Sequence, residues 1–121
     1  MSEDPVVIAG IGRTPMGGFQ GELSTLSATE LGSVAVKKAV EQSGVAAEDF
    51  DECVMGCVLP AGLGQAPARQ AGLGAGLPNS VGGTTVNKMC GSGMKAIMQS
   101  YDMLAVGAAD VIVAGGLESM S

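Results

Sequence analysis

Four short apolar runs, separated by longer stretches of helical character, constrain this chain more than any other feature. Val6-Val7-Ile8-Ala9 ends at Gly10 and Gly12. Cys53-Val54-Met55-Gly56-Cys57-Val58-Leu59 is stopped by Pro60. Residues 80–87 carry Val81, Thr84, Thr85 and Val86, and Val111-Ile112-Val113-Ala114 closes on Gly115-Gly116. Continuous apolar runs of this length suit strands covered on both faces.

The stretches between them read as helices. Ser27-Ala28-Thr29-Glu30 has the spacing of a capping box. After it, Glu30, Ser33, Lys37 and Glu41 form one polar stripe at helical spacing. Leu31, Val34, Ala35, Val36, Ala39 and Val40 cover most of the remainder, which describes a well-buried helix with Gly44 as its C-cap. A short, glycine-weakened helix is expected near residues 68–77. The strongest helical pattern spans residues 91–106, where Met94, Ile97, Met98, Tyr101, Leu104 and Ala105 share one face, expected to be core. Strand, helix, strand, helix, strand, helix, strand is the order of an α/β layer on a mostly parallel sheet.

Composition fits this reading and narrows the chemistry. The chain has 121 residues, enough for one domain at most, and 46% of them are hydrophobic. The aromatics are Phe19, Phe50 and Tyr101, so the core must come from aliphatic side chains and close backbone contact through 20 glycines. Net charge is −6, and the six basic residues are scattered, with only Lys37 and Lys38 adjacent. A nucleic-acid surface needs a basic stripe, and none is visible. Glu48, Asp49, Asp51 and Glu52 surround Phe50 and read as a solvated loop. The start, Met1-Ser2-Glu3-Asp4-Pro5, is acidic and unlike a secretory or transit signal, and no apolar run reaches membrane-spanning length. A cytoplasmic location is the expectation.

Three cysteines, Cys53, Cys57 and Cys90, cannot all pair within the chain. Cys53 and Cys57 sit four apart on an apolar strand, too far for an unstrained bridge. With no histidine and no second closely spaced cysteine pair, a zinc site is not expected, and no Cys-His dyad can be built from this chain alone. Free thiols fit a reducing compartment.

Cys90 differs from the other two. It follows the third strand and opens the strongest helix, and Gly91-Ser92-Gly93 leaves room for a ligand. A thiolate there meets the positive end of a helix dipole, and unpaired backbone N–H groups there can hold an oxyanion. Lys88 and Lys95 add positive charge nearby in sequence. Spacing alone leaves two readings open, a nucleophile at a strand-to-helix elbow or a small buried hydrophobe. Cys53 and Cys57 read as buried strand residues.

At this point the residues resemble a known family. Val86-Asn87-Lys88-Met89-Cys90-Gly91-Ser92-Gly93-Met94-Lys95-Ala96 resembles the acyl-enzyme signature of the thiolases. Arg13-Thr14-Pro15 with Gly17, Phe19 and Gly21 resembles the family's opening loop. Leu59-Pro60-Ala61-Gly62, Gly64-Gln65 and Pro67-Ala68-Arg69-Gln70 resemble its second loop. Ala114-Gly115-Gly116-Leu117-Glu118-Ser119-Met120-Ser121 resembles the strand and turn after the nucleophile helix. The flavour of the signature is closest to the acetoacetyl-CoA thiolases, the acetyl-CoA C-acetyltransferases.

The resemblance implies a thiolase-like fold, with residues 1–121 as an incomplete N-terminal part of the thiolase N-terminal domain, within its first αβα repeat. It implies acyl transfer. Cys90 takes an acyl group from acetyl-CoA or another acyl-CoA as a thioester, and its backbone N–H contributes to an oxyanion hole. CoA is then a substrate rather than a held cofactor, and the complete protein is a homo-oligomer, a dimer or tetramer. The family's activating histidine, its asparagine-histidine water site and its acid/base cysteine have no matching motif in these 121 residues. Neither Cys53 nor Cys57 matches the second catalytic cysteine. The chain ends in what reads as a connecting turn, so the expectation is a piece of a longer protein, inactive alone. Two other readings stay open: one chain of a split thiolase, and a non-catalytic CoA-binding or scaffold module.

Overall fold

The computed structural model describes residues 4–121; Met1, Ser2 and Glu3, part of the acidic start, lie outside the described residues. Helix α1 spans Ala28–Ser43, strand β1 Glu52–Gly56, helix α2 Pro67–Gly74, strand β2 Gly82–Val86, helix α3 Ser92–Ala105 and strand β3 Ile112–Gly116. A 3-10 turn at Ala47–Asp49 precedes β1. The three strands are parallel in the order β2-β1-β3. The expected α/β layer is therefore formed, with β1 at its centre.

The capping box forms as its spacing predicts. The Glu30 N–H donates to Ser27 Oγ at 3.2 Å, and the Ser27 N–H donates to Glu30 Oε2 at 3.0 Å. Together they satisfy donors that a helix start leaves open. At the other end Gly44 adopts a left-handed φ of 71°, which suits a residue without Cβ. The buried line of α1 runs through Ala28, Thr29, Gly32 and Val36, while Val34 is exposed, so the helix is less covered than its composition predicts. Ser33 leaves the expected polar stripe. Its Oγ donates toward Thr29 O and Ala71 O, 2.9 and 3.0 Å away, binding α1 to α2.

Helices α1 and α2 pack together on one face of the sheet. Cys53 meets that layer: its thiol lies 3.4 Å from Ala68 O, and Gly72 lets α2 sit against it. The core gathers Val36, Phe50, Cys53, Met55, Ala71, Leu77, Val81, Val113 and Leu117 in this layer. Phe50 is buried; Glu48, Asp49 and Asp51 beside it stay exposed as expected, but Glu52 departs from the solvated loop, half-buried as the first residue of β1.

Helix α3 covers the opposite face, as right-handed crossovers running to both sides of β1 require. Here the structure corrects the sequence reading. The helix turns Ser92, Ala96 and Ser100 to the sheet, and Met94, Ile97, Met98 and Tyr101 are exposed, Met94 by 70%. Backbone contact explains the choice. A Cβ on Gly56 would lie 2.6 Å from Gly93 N, and one on Gly116 would lie 3.4 Å from Gly93 Cα. An approach this close admits only small residues, spaced i, i+4, i+8, and the bulky stripe must face away.

A second correction concerns the first apolar run. Residues 6–9 form no strand. A strand exists only in a ladder that pairs its N–H and C=O groups, and β2, β1 and β3 pair with one another alone among the described residues. The segment instead runs to α1, where the Ile11 N–H donates to Gln42 Oε1 at 2.7 Å and Gly10 and Gly12 meet the helix backbone. Val7 and Ile8 are left exposed. No described helix is long and apolar enough to cross a membrane.

Candidate active site

All three strands end on one side of the sheet. The chain leaves β1 toward β2, and β3 lies on the other flank of β1, so the carboxyl ends of β1 and β3 bound a topological switch point. Ligand crevices in parallel α/β sheets open at such points. A cavity of about 490 Å³ sits there, lined by Gly56, Val58, Leu59, Cys90, Gly93, Gly116 and Glu118.

Cys90 is exposed and unpaired, at the turn between β2 and α3. Among the described residues its N–H donates to no backbone carbonyl. Gly91 caps α3 without a side-chain bond, and the N–H groups of Gly91 and Ser92 donate to Lys88 O and Met89 O, both at 3.0 Å. A thiol with a free backbone N–H beside it, in a cavity at a helix N-terminus, can attack a carbonyl carbon and hold the oxygen that becomes negative. Lys88 is exposed one turn away and Lys95 is half-buried on α3; neither lines the cavity.

Three side chains fasten the loops around the site; Glu118 and Ser92 line the cavity and Asn87 lies beside it. Glu118, just past β3, accepts from the Val58 N–H at 2.8 Å and the Leu59 N–H at 2.9 Å. Asn87 accepts from the Met89 N–H at 3.0 Å and reaches Val58 O at 3.4 Å. Ser92 accepts from the Lys88 N–H at 2.8 Å and donates to Met89 O. All three stand within the sequence motifs, which by themselves assign them no task. Asn87 could have been found, since an Asn two residues before a turn N–H is an Asx-turn signal. For Glu118 no local signal exists, because its partners lie about 60 positions away.

Cys53 and Cys57 are buried free thiols, as expected. Burial pushes the Cys53 thiol up to about 11, with the Glu52 charge adding to it. Burial also raises Cys57, reinforced by Glu118, whose Oε1 lies 3.6 Å from its sulfur. Neither lines the cavity. Among the described residues no three His, Cys, Asp or Glu side chains converge as a metal would need.

The four motif segments meet at this end of the sheet. The opening loop, from Gly12 to Phe19, faces α1 and Gly116 to Ser121 across a neighbouring cavity of about 540 Å³. The two cavities share Gly116, Leu117, Glu118 and Met120. In the second loop, Gln70 donates to Leu63 O and Gln65 O, both at 2.7 Å, while Arg69 donates to Asn79 O at 2.9 Å and to Val81 O. These two residues fasten loops and do not line the Cys90 cavity.

Comparison with known proteins gives this arrangement a family. Residues 6–121 match the model of the thiolase N-terminal domain. The chain is 59% identical to acetyl-CoA acetyltransferase 2 of Arabidopsis thaliana, over 96% of this chain and 29% of that protein. It is 57% identical to the mitochondrial acetyl-CoA acetyltransferase of Danio rerio, over 99% of this chain and 29% of that one. Its fold is similar to the crystal structure of Acat5 thiolase from Ascaris suum in complex with coenzyme A, with a TM-score of 0.92 and 41% identity, over 94% of this chain and 30% of that one. The chain thus spans under a third of the length of each of these relatives. A parallel sheet of the same fold, matched from residue 6 to residue 121, places the chain in the thiolase family, within its N-terminal domain.

Proposed function

We propose that this chain is the nucleophile-bearing part of an acetyl-CoA acetyltransferase, an acyltransferase working on CoA thioesters. One observation carries the reading: Cys90 is an exposed thiol whose backbone N–H meets no backbone carbonyl among the described residues, opening on the cavity at the carboxyl ends of β1 and β3. The Cys90 thiolate attacks the carbonyl carbon of acetyl-CoA. The oxygen takes the charge beside the Cys90 N–H, then the C–S bond to CoA breaks and CoA leaves as its thiolate. The acetyl group stays on Cys90 as a thioester. The α-carbanion of a second acetyl-CoA then attacks that thioester, releasing the Cys90 thiolate and forming acetoacetyl-CoA; thiolysis is the reverse. Splitting the transfer through a covalent intermediate lowers each barrier.

The 121 residues contain no histidine. On this reading the base for Cys90 and the group that takes the α-proton are supplied by further sequence. Residues 1–121 then form the front of the N-terminal domain, and this segment alone turns over little or no substrate. CoA enters and leaves as substrate, so the reading includes no held cofactor. A homo-oligomeric complete enzyme and a cytoplasmic location belong to the same reading, the latter on the free thiols, although one relative is mitochondrial.

Acetoacetyl-CoA cleavage, assayed on the longest form of the protein that carries this chain, tests the proposal. Cys90→Ala is expected to remove activity by about 10⁴-fold or more while circular dichroism stays unchanged. A Cys90→Ala protein that cleaves at the normal rate would overturn the assignment.

A further inference from the structure

Met89, the residue before Cys90, sits at a left-handed φ of 51°. A side chain at this φ is disfavoured, and Met89 does not hold itself there by packing, because it is 67% exposed. What holds it are bonds to both of its backbone groups. Its N–H donates to Asn87 Oδ1 at 3.0 Å, and its C=O accepts both from Ser92 Oγ and, at 3.0 Å, from the Ser92 N–H. Ser92 Oγ also accepts from the Lys88 N–H at 2.8 Å, so one hydroxyl closes the turn across Lys88 and Met89. Ser92 is itself immobile. It is 4% exposed and wedged on β1, where a Cβ on Gly56 would lie 2.7 Å from its own. Asn87 anchors the other side through Val58 O, at the wall of the cavity.

We propose that Ser92 and Asn87 are positioning residues for Cys90, clamping Met89 in its left-handed conformation so that the Cys90 thiol and N–H face the cavity together. The proposal rests on the reading of Cys90 as acyl acceptor. Asn87 does not line the cavity, and the Ser92 hydroxyl, at its wall, is committed to the Lys88 N–H and Met89 O. Without the clamp, Met89 relaxes toward negative φ and the peptide it shares with Cys90 rotates. Glycine at position 89 occupies the left-handed region without cost, so it makes the clamp unnecessary. A merely structural serine would not be relieved in that way.

The test measures two rates at Cys90 by peptide mass spectrometry, in the longest form of the protein that carries the chain. One is acetyl uptake from acetyl-CoA after acid quenching, and the other is alkylation by iodoacetamide. Ser92→Ala is expected to lower the maximal acetylation rate by about tenfold, with the half-saturating acetyl-CoA concentration within about twofold of wild type. Alkylation at Cys90 slows in parallel. Asn87→Ala, at an exposed position, gives a smaller loss of the same kind without disturbing the helix packing. Adding Met89→Gly to either variant restores most of both rates. Wild-type rates in both single variants, or a loss that Met89→Gly leaves uncorrected, overturn the clamp. A wild-type protein that takes no acetyl group overturns the acyl-transfer reading instead, and the alkylation rates still decide on the clamp.

Discussion

Glu118 holds Val58 by a 2.8 Å hydrogen bond from the Val58 N–H, which fastens the exit of β3 to the exit of β1. Its other oxygen takes the Leu59 N–H at 2.9 Å, so one carboxylate satisfies two successive donors of a loop that no strand pairs. Both loops line the Cys90 cavity. Glu118→Ala leaves both N–H groups without these acceptors. The expected loss is about 1–2 kcal/mol of stability, the range for bonds to a charged group at a partly solvated site. Urea unfolding of wild type and variant measures it. A Glu118→Ala midpoint equal to wild type would show that water replaces the carboxylate.

Asp51 does the matching task at the opposite end of the sheet. Its carboxylate accepts from the Asp110 N–H at 2.8 Å and the Val111 N–H at 3.1 Å, just ahead of β3. These two bonds hold its pKa below the usual 3.8, against a small opposing effect of burial. The folded value is thus lower than the unfolded one. The stabilisation is fully present above about pH 4–5 and is lost as pH falls through the depressed folded value. Asp51→Asn keeps an acceptor but cannot titrate, so its stability is expected to fall less steeply below pH 4. Thermal unfolding between pH 2 and 6 compares the two slopes, and equal slopes count against the Asp51 contribution.

The thiols should separate by accessibility. With its pKa near 11, Cys53 is about one part in a thousand thiolate at pH 8. It is also fully buried, and Cys57 is nearly so. Iodoacetamide at pH 8 is expected to modify Cys90 first, and Cys53 and Cys57 only after denaturant is added. Early modification of Cys53 would contradict the placement of β1 under α2.

The close approach of α3 to the sheet depends on Gly56. A methyl group there would lie 2.6 Å from Gly93 N and 2.7 Å from the Ser92 Cβ. Gly56→Ala must push α3 outward and is expected to cost about 2–3 kcal/mol, with slower acetylation at Cys90. Gly93→Ala is the informative contrast, because its nearest new neighbours lie at 3.7 Å, ordinary contact. Denaturation midpoints of both variants check the ranking; equal losses would contradict the packing described.

Much of this was legible in the sequence, for definable reasons. The capping box at Ser27 and Glu30 and the Gly44 cap depend only on neighbours in the chain, and both form as read. The strand at β1 and the helix at α3 were visible as continuous patterns. The face of α3 was not. Its period shows a bulky stripe of Met94, Ile97 and Met98, and the usual rule buries such a stripe. The glycines at 56 and 116 reverse it, through a contact that exists only once the strands are placed beside the helix. Residues 6–9 look like a strand because strand character is local, but pairing is not, and the three strands present leave this run unpaired. At the site, Cys90 stood out by its place between β2 and α3, and the thiolase resemblance gave it a role. The bonds of Glu118 to Val58 and Leu59 stayed hidden, because nothing near position 118 announces partners at the end of another strand.

The central claim is that Cys90 accepts the acyl group, and the most direct measurement is to locate that group. The longest form of the protein that carries this chain is mixed with isotope-labelled acetyl-CoA, quenched in acid, digested and sequenced by mass spectrometry. The account predicts one labelled acetyl thioester, on Cys90, released by hydroxylamine and absent from Cys90→Ala. Label on Cys53 or Cys57, or label that survives in Cys90→Ala, would contradict it.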